Sequence, residues 1–123
     1  MTHSEIAKQW FADTFNCAQS VLASFGQAYG LTDDQCLKIG CAFGGGMARR
    51  QMTCGAVTGA LVVLGLQYGR GAGDPYSSTE MTYKKSLELF DEFKMRNGSI
   101  NCRELLKGLD MNDPEDKKKI AEF

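Results

Sequence analysis

Apolar residues recur at helical spacing along most of this chain, and no segment shows the sustained apolar–polar alternation of a half-buried strand. Capping residues and glycines indicate where the helices begin and end. These signals predict helices over residues 4–15, 17–29, 32–43, 54–68, 78–97 and 102–107, and a last helix beginning at Asp113-Pro114. We therefore expect an all-α fold, a single-domain bundle of about five to six helices that spans residues 1–123.

Residues 40–71 are the most distinctive part of the pattern. A glycine triplet at 44–46 and an arginine pair precede the hexapeptide Cys54-Gly-Ala-Val-Thr-Gly59. Thr53 is the predicted N-cap of the helix that follows, which places Cys54 in its first turn. Gly55 and Gly59 leave one face of that helix without side chains, so another backbone can approach it closely.

Composition and charge exclude several classes of function. The formal net charge of −1 gives no electrostatic basis for nucleic-acid binding. The longest apolar run, 60–66, is far shorter than the roughly 20 residues of a membrane span, and the N-terminus lacks the pattern of a signal peptide. We expect a cytoplasmic protein. The one histidine, His3, is close to the N-terminus, which disfavours Ser-His-Asp or Cys-His catalysis and a histidine-containing zinc site.

Three of the five cysteines share a local pattern. Cys17, Cys54 and Cys102 each follow a residue that favours the N-cap position, so each sulfur is expected in the first turn of a helix. Backbone amides and the helix dipole stabilise negative charge there. A metal or iron–sulfur site needs such help to hold several thiolates together, and a redox-active dithiol needs a lowered thiol pKa. The pattern predicts that these three cysteines converge.

The other two cysteines give a weaker signal. Cys36 and Cys41 are five residues apart, which places them about 140° apart around a helix. Free cysteines are often buried as small apolar residues, and we expect that role for both.

The segment from Gly44 to Arg50 allows several interpretations. Gly45 and Arg49 are candidate ligands of an anion or an anionic cofactor, because a glycine backbone and a guanidinium suit phosphate or carboxylate. The segment lacks the GxxxxGK[ST] pattern, however, and a loop that ends a helix and carries two solvated arginines is the favoured interpretation. A third interpretation places Arg49 or Arg50 beside Cys54, where it would compensate thiolate charge.

Four segments together resemble the C_GCAxxG_C_C family of redox-active proteins, over nearly the whole chain. They are Asn16-Cys-Ala-Gln-Ser-Val-Leu22, Phe43-Gly-Gly-Gly46, Cys54-Gly-Ala-Val-Thr-Gly59 and Asn101-Cys-Arg-Glu-Leu-Leu106. The resemblance implies a small helical protein with four characteristic cysteines and a redox role, for which an iron–sulfur cluster has been proposed. Three of these cysteines correspond to Cys17, Cys54 and Cys102. The fourth would lie beyond Phe123, so the resemblance also predicts a missing C-terminal tail.

Two classes of function follow. In the first, the chain is a redox or electron-transfer protein with an unidentified redox partner. Cys17, Cys54 and Cys102 either ligate an iron–sulfur cluster or exchange disulfides, with Cys54 as the attacking thiolate and Cys17 or Cys102 resolving. In the second, it is a helical binding module with structural cysteines, and the loop of Gly45 and Arg49 binds an anion. Small residues on the Cys54 helix are compatible with a homodimer. Sulfurs within a few ångströms of one another would favour the first class.

Overall fold

The computed structural model describes residues 1–122, which form seven α-helices and two short 3₁₀ helices. The α-helices are α1 (His3–Ala12), α2 (Cys17–Phe25), α3 (Asp33–Gly40), α4 (Gly55–Tyr68), α5 (Ser77–Asn97), α6 (Cys102–Leu105) and α7 (Pro114–Ile120). The 3₁₀ helices are Gly26–Tyr29 and Cys41–Phe43.

The all-α prediction is confirmed. Over residues 1–122 no strand is formed, and an isolated antiparallel bridge joins Thr53 to Asn101. Within residues 1–122 the seven α-helices exceed the predicted bundle of about five to six. Within the same residues, none of the helices combines the length and apolar character that a membrane span requires.

Helix α2 lies at the centre of the fold, in contact with α1, α3 and α4, and α5 packs against α4. Its Leu22 is completely buried in a core cluster with Ala23, Cys36 and Val63. Burial of a leucine side chain contributes about 1.5–3 kcal/mol, so this cluster holds α2, α3 and α4 together.

Local capping sets several helix starts as predicted. The Asn16 side chain accepts a hydrogen bond from the Gln19 amide, and the Gln19 side chain accepts one from the Asn16 amide. Thr32 and Gln35 form the same reciprocal capping box at α3. Asp113 caps α7 ahead of the proline at its first position.

Four helix ends differ from the prediction, including that of α6, which lies at Leu105 rather than at residue 107. Helix α1 stops at Ala12 rather than residue 15, and Thr14 then has a φ of 74°. The segment predicted as one helix over 17–29 tightens into a 3₁₀ turn after Phe25, and the segment over 32–43 does so after Gly40. Such 3₁₀ turns are frequent at the C-termini of α-helices.

The small-residue face of α4 packs directly against the backbone of α2. A Cβ at Gly55 would lie 3.0 Å from the Ala18 amide nitrogen, and one at Gly59 would lie 2.9 Å from the Ala18 carbonyl oxygen. The expected close approach is therefore made to α2 of the same chain. It brings the N-terminus of α4 beside the N-terminus of α2.

Candidate functional site

Three helix starts that are far apart in sequence meet at one place. Cys17 is the first residue of α2, Cys102 is the first residue of α6, and Cys54 immediately precedes α4. A Cβ at Gly55 would lie 3.3 Å from the Cys17 Cβ, which places the start of α4 against Cys17. The Cys54 amide donates to the Ile100 carbonyl at 2.7 Å, next to the Thr53–Asn101 bridge, which brings α6 to the same place. The structure thus brings the three predicted site cysteines together.

The predicted role of Thr53 as an N-cap is wrong. Cys54 itself occupies the N-cap position, and its carbonyl accepts hydrogen bonds from the Val57 and Thr58 amides at 2.9 and 3.1 Å. Its side chain makes no capping hydrogen bond. The reason is that Thr53 pairs with Asn101 in the antiparallel bridge, so the helix begins one residue later than its local sequence indicates.

The thiols of Cys17 and Cys102 have raised pKa values, which contradicts the expectation that helix starts lower them. Burial raises the pKa of Cys17 most, the neighbouring Cys54 and Cys102 raise it further, and its own backbone amide lowers it by less. Burial and then Cys54 raise the pKa of Cys102, and Arg103 lowers it. Desolvation and repulsion between thiolates therefore outweigh the backbone hydrogen bond at Cys17 and the positive charge of Arg103 at Cys102. The charge of Cys54 raises the pKa of both Cys17 and Cys102, so Cys54 is the neighbour that these two thiols share.

Helix α6 offers little positive potential to Cys102. Its first two amides, those of Cys102 and Arg103, already donate to the Met52 and Gln51 carbonyls at 2.6 and 3.1 Å. The helix is only four residues long, and no side chain caps it by hydrogen bonding. The Asn101 side chain donates instead to the Glu104 carboxylate at 3.4 Å. A short helix whose first amides are occupied cannot compensate for the desolvation of its thiol.

The glycine triplet forms part of the scaffold around the cysteines. A Cβ at Gly44 would lie 2.5 Å from the Asn16 side-chain nitrogen, and one at Gly46 would lie 2.8 Å from the Cys102 Cβ. The loop has a left-handed backbone from Gly45 through Arg49, with φ values between 49° and 70°. Only glycine adopts such angles without strain. This placement agrees with the favoured interpretation, a structural loop that ends a helix.

Gln51 anchors this loop to the C-terminal part of the chain, a role that the sequence analysis missed. Its buried side chain donates to the Leu109 carbonyl at 2.7 Å and accepts from the Met111 amide at 3.1 Å. Arg103 was also missed, although it follows Cys102 directly and is the cation that lowers the pKa of that thiol. Adjacency in sequence was the only available signal.

Gly45 and Arg49 lie on a separate groove of about 570 Å³, which Asn16 and Cys41 also line. The side chains of Arg49 and Arg50 are exposed and form no ion pair within residues 1–122. Neither arginine is among the groups that shift the pKa of Cys17 or Cys102. Anion binding by Gly45 and Arg49 stays a prediction.

Cys36 and Cys41 have different environments. Cys36 is fully buried in the core cluster, as expected of a structural cysteine. Burial raises the pKa of its thiol, with a further contribution from Asp33. The expectation of burial is wrong for Cys41, which is exposed. Helix α3 ends at Gly40, so Cys41 begins a 3₁₀ turn at the surface, where its carbonyl accepts from the Asn16 side chain at 3.1 Å.

A metal centre needs several ligating side chains grouped around one point. Within residues 1–122, no three Cys, His, Asp or Glu side chains form a group that could hold a metal ion. His3 stacks on Phe25 with ring centroids 4.0 Å apart, and its Nδ1 lies 2.7 Å from the Ser24 carbonyl. As arranged, Cys17, Cys54 and Cys102 do not fit a cluster, and the iron–sulfur cluster stays a prediction. The chemistry that this arrangement provides directly is that of neighbouring thiols.

Comparison with known proteins identifies a family and a relative of this chain. Residues 15–122 match the model of the family described as "Putative redox-active protein (C_GCAxxG_C_C)". An uncharacterised protein of Archaeoglobus fulgidus is 27% identical over 118 residues, which cover 90% of this chain and 78% of that protein. No solved structure matches the chain significantly. Since the match extends over all three helix-start cysteines, the chain belongs to the C_GCAxxG_C_C family.

Proposed function

We propose that this protein is a two-electron thiol redox carrier in which Cys54 forms a disulfide with Cys17 or Cys102. The observation that supports this is the meeting of three helix starts, which places Cys54 close enough to raise the pKa of both Cys17 and Cys102. Neighbouring thiols that repel each other as thiolates are relieved of that repulsion when a disulfide forms.

Cys54 is the shared partner in this proposal. It raises the pKa of both Cys17 and Cys102, whereas Cys102 is the weaker of the two neighbours that act on Cys17. Cys17 and Cys102 are therefore its two candidate partners, and a bridge to either one requires Cα atoms roughly 4.4–6.8 Å apart. Oxidation of either pair releases two electrons and two protons and leaves the third cysteine as a free thiol.

Ligation of an iron–sulfur cluster by the same three cysteines is the competing hypothesis. It would require the three side chains to regroup, because they do not form a metal-binding group within residues 1–122. Disulfide exchange needs only one pair at a time, so the arrangement supports it better.

The test is performed on the full chain purified without oxygen. Iron and acid-labile sulfide are measured first, and free thiols are then counted before and after mild oxidation with diamide. We expect the loss of two thiols per chain, with mass spectrometry locating the bridge between Cys54 and Cys17 or Cys102. Cys54→Ser should abolish the intramolecular bridge, and Cys41→Ser, which removes the exposed thiol outside the site, should retain it.

Two results would overturn the proposal. Stoichiometric iron and sulfide that are lost in Cys54→Ser would replace it with cluster ligation. A full count of titratable thiols after oxidation, without any bridge, would contradict redox chemistry by these cysteines and favour a helical binding module.

A further inference from the structure

Cys17 is the member of the three-cysteine site that an external molecule can reach most easily. Neighbouring groups desolvate its sulfur and raise its pKa, but Cys17 as a whole residue is exposed at the surface, whereas Cys54 and Cys102 are half-buried. Cys54 is also held by the hydrogen bond of its amide to the Ile100 carbonyl and by its position as the N-cap of α4. A partner that exchanges electrons with the site as a thiol or disulfide therefore meets Cys17 first.

An apolar groove of about 330 Å³ opens beside Cys17. It lies between α1, α2 and α4, and Ala7, Phe11, Val21 and Ala56 supply its apolar walls. Lys8 and Ser20 supply polar groups. The volume is at the lower end of the roughly 300–1,000 Å³ typical of ligand pockets, so it suits one or two side chains rather than a large cofactor.

Phe11 is the distinctive feature of this groove. Its side chain is 58% exposed, although it is a large aromatic residue on a helix that packs against α2. Exposed aromatic side chains of this kind often anchor a binding partner, because they provide a large contact area with little loss of conformational entropy.

We propose that Cys17 is the thiol that attacks the partner, and that this groove binds an apolar residue next to a half-cystine of a disulfide-bonded peptide or protein. The inference rests on the proposed thiol function and names its substrate class. The occupant carries an accessible disulfide, because Cys17 lines the groove, and an apolar neighbour, because most of the other lining residues are apolar. It assigns the attack to Cys17 rather than to Cys54, which the sequence had favoured.

The reaction proceeds in two exchanges. The Cys17 thiolate attacks one sulfur of the partner's disulfide, the partner's S–S bond breaks, and the other partner sulfur leaves as a thiolate. The Cys54 thiolate then attacks the Cys17 sulfur, a Cys17–Cys54 bond forms, and the partner's second sulfur leaves. The partner disulfide gains two electrons, the Cys17–Cys54 pair loses two, and the protons of the two protein thiols pass to the partner thiols.

The test uses two neutral, capped tripeptides, Leu-Cys-Phe and Ser-Cys-Asn, each joined through a disulfide to the chromophore 2-nitro-5-thiobenzoate. The protein is the full chain with Cys41→Ser, so that the exposed thiol outside the site does not react. Release of the coloured thiolate gives the rate, and mass spectrometry of the Cys54→Ser form identifies the cysteine that carries the trapped peptide.

We expect the trapped peptide on Cys17 and a rate about tenfold higher for the apolar peptide, equivalent to about 1.4 kcal/mol of discrimination. Phe11→Ser should remove this preference. Leu87→Ser, a matched control that is 61% exposed on α5, should retain it. Circular dichroism checks that both variants are folded.

Trapping on Cys54 or Cys102, or equal rates for the two peptides, would overturn this inference. So would a Cys17–Cys17 dimer that forms in place of the peptide adduct, since the occupant of the groove would then be a second copy of the chain. If diamide still produces the Cys17–Cys54 bridge, these failures leave the proposed function in place. If diamide produces no intramolecular bridge, the proposed function fails as well.

Discussion

The contact between Gly59 of α4 and Ala18 of α2 offers a sharp test of how the cysteine site is built. In Gly59→Ala the new Cβ would lie 2.9 Å from the Ala18 carbonyl oxygen and 3.1 Å from its Cα. Both atoms belong to the backbone, so no side-chain rotation can relieve the clash. Gly65→Ala is the matched control, because it lies in the same helix and no atom lies within 4 Å of its Cβ.

The expected change in the free energy of unfolding is the sum of two opposing contributions. Replacing glycine with alanine inside a helix stabilises the fold by about 0.8–1 kcal/mol, and this term is the same for both variants. Overpacking a close contact costs about 1–3 kcal/mol, and it applies to Gly59 alone. We therefore expect Gly65→Ala to raise the free energy of unfolding by up to about 1 kcal/mol, and Gly59→Ala to lower it by up to about 2 kcal/mol.

Urea unfolding followed by circular dichroism measures both changes on the full chain under reducing conditions. The site provides a second readout, because displacement of α4 from α2 should slow formation of the Cys17–Cys54 bridge in Gly59→Ala and leave it unchanged in Gly65→Ala. If Gly59→Ala were as stable as Gly65→Ala and formed the bridge at the same rate, close packing at this glycine would not be what positions the thiols.

Further predictions concern the cap, the core cysteine and the thiol pKa values. Asn16→Ala should lower the free energy of unfolding, measured in urea, by about 0.5–2 kcal/mol, because it removes the side-chain cap of α2. Asn16→Asp should retain most of the stability, because aspartate is also a good N-cap. Cys36→Ser should cost about 1–3 kcal/mol, because it places a hydroxyl in an apolar core, whereas Cys41→Ser at the surface should change stability by less than about 0.5 kcal/mol. The pH midpoint of Cys17 alkylation by iodoacetamide should exceed that of a free thiol and fall in Cys54→Ser, which removes a neighbouring charge. Folding raises the pKa of Cys17, Cys36 and Cys102. The contribution of these thiols to the free energy of unfolding should therefore be constant below the ordinary thiol pKa and fall as the pH rises through the pKa values of the folded protein. Urea unfolding at several pH values measures this change, and a rise in stability over that pH range would contradict the raised pKa values.

Features that depend on neighbouring residues could be predicted from the sequence. Asn16, Thr32 and Asp113-Pro114 mark true helix starts, because capping is a contact between a side chain and an amide two or three residues away. The close packing of Gly55 was also predictable, since the absence of a side chain is itself visible in the sequence.

Features that depend on distant residues could not be predicted in the same way. Thr53 has the local properties of an N-cap, but it pairs with Asn101, 48 positions further along the chain. Because of this pairing, Cys54 occupies the N-cap position instead. The direction of the Cys17 pKa shift was missed for a related reason. Helix position is local and favours a thiolate, whereas desolvation and the nearby thiols depend on how the helices pack.

The left-handed loop beside Cys102 has a consequence for the order in which the fold opens. Met47, Ala48 and Arg49 all hold positive φ, at about 1–2 kcal/mol each for a residue with a side chain. Part of that energy is released when the loop opens, so its amides should exchange with solvent at a lower free energy than those of α2. Gln51 links the same loop to Leu109 and Met111, and opening would therefore release the C-terminal segment together with it. Hydrogen exchange should show residues 44–52 and 109–113 opening as one unit while the core around Leu22 stays closed.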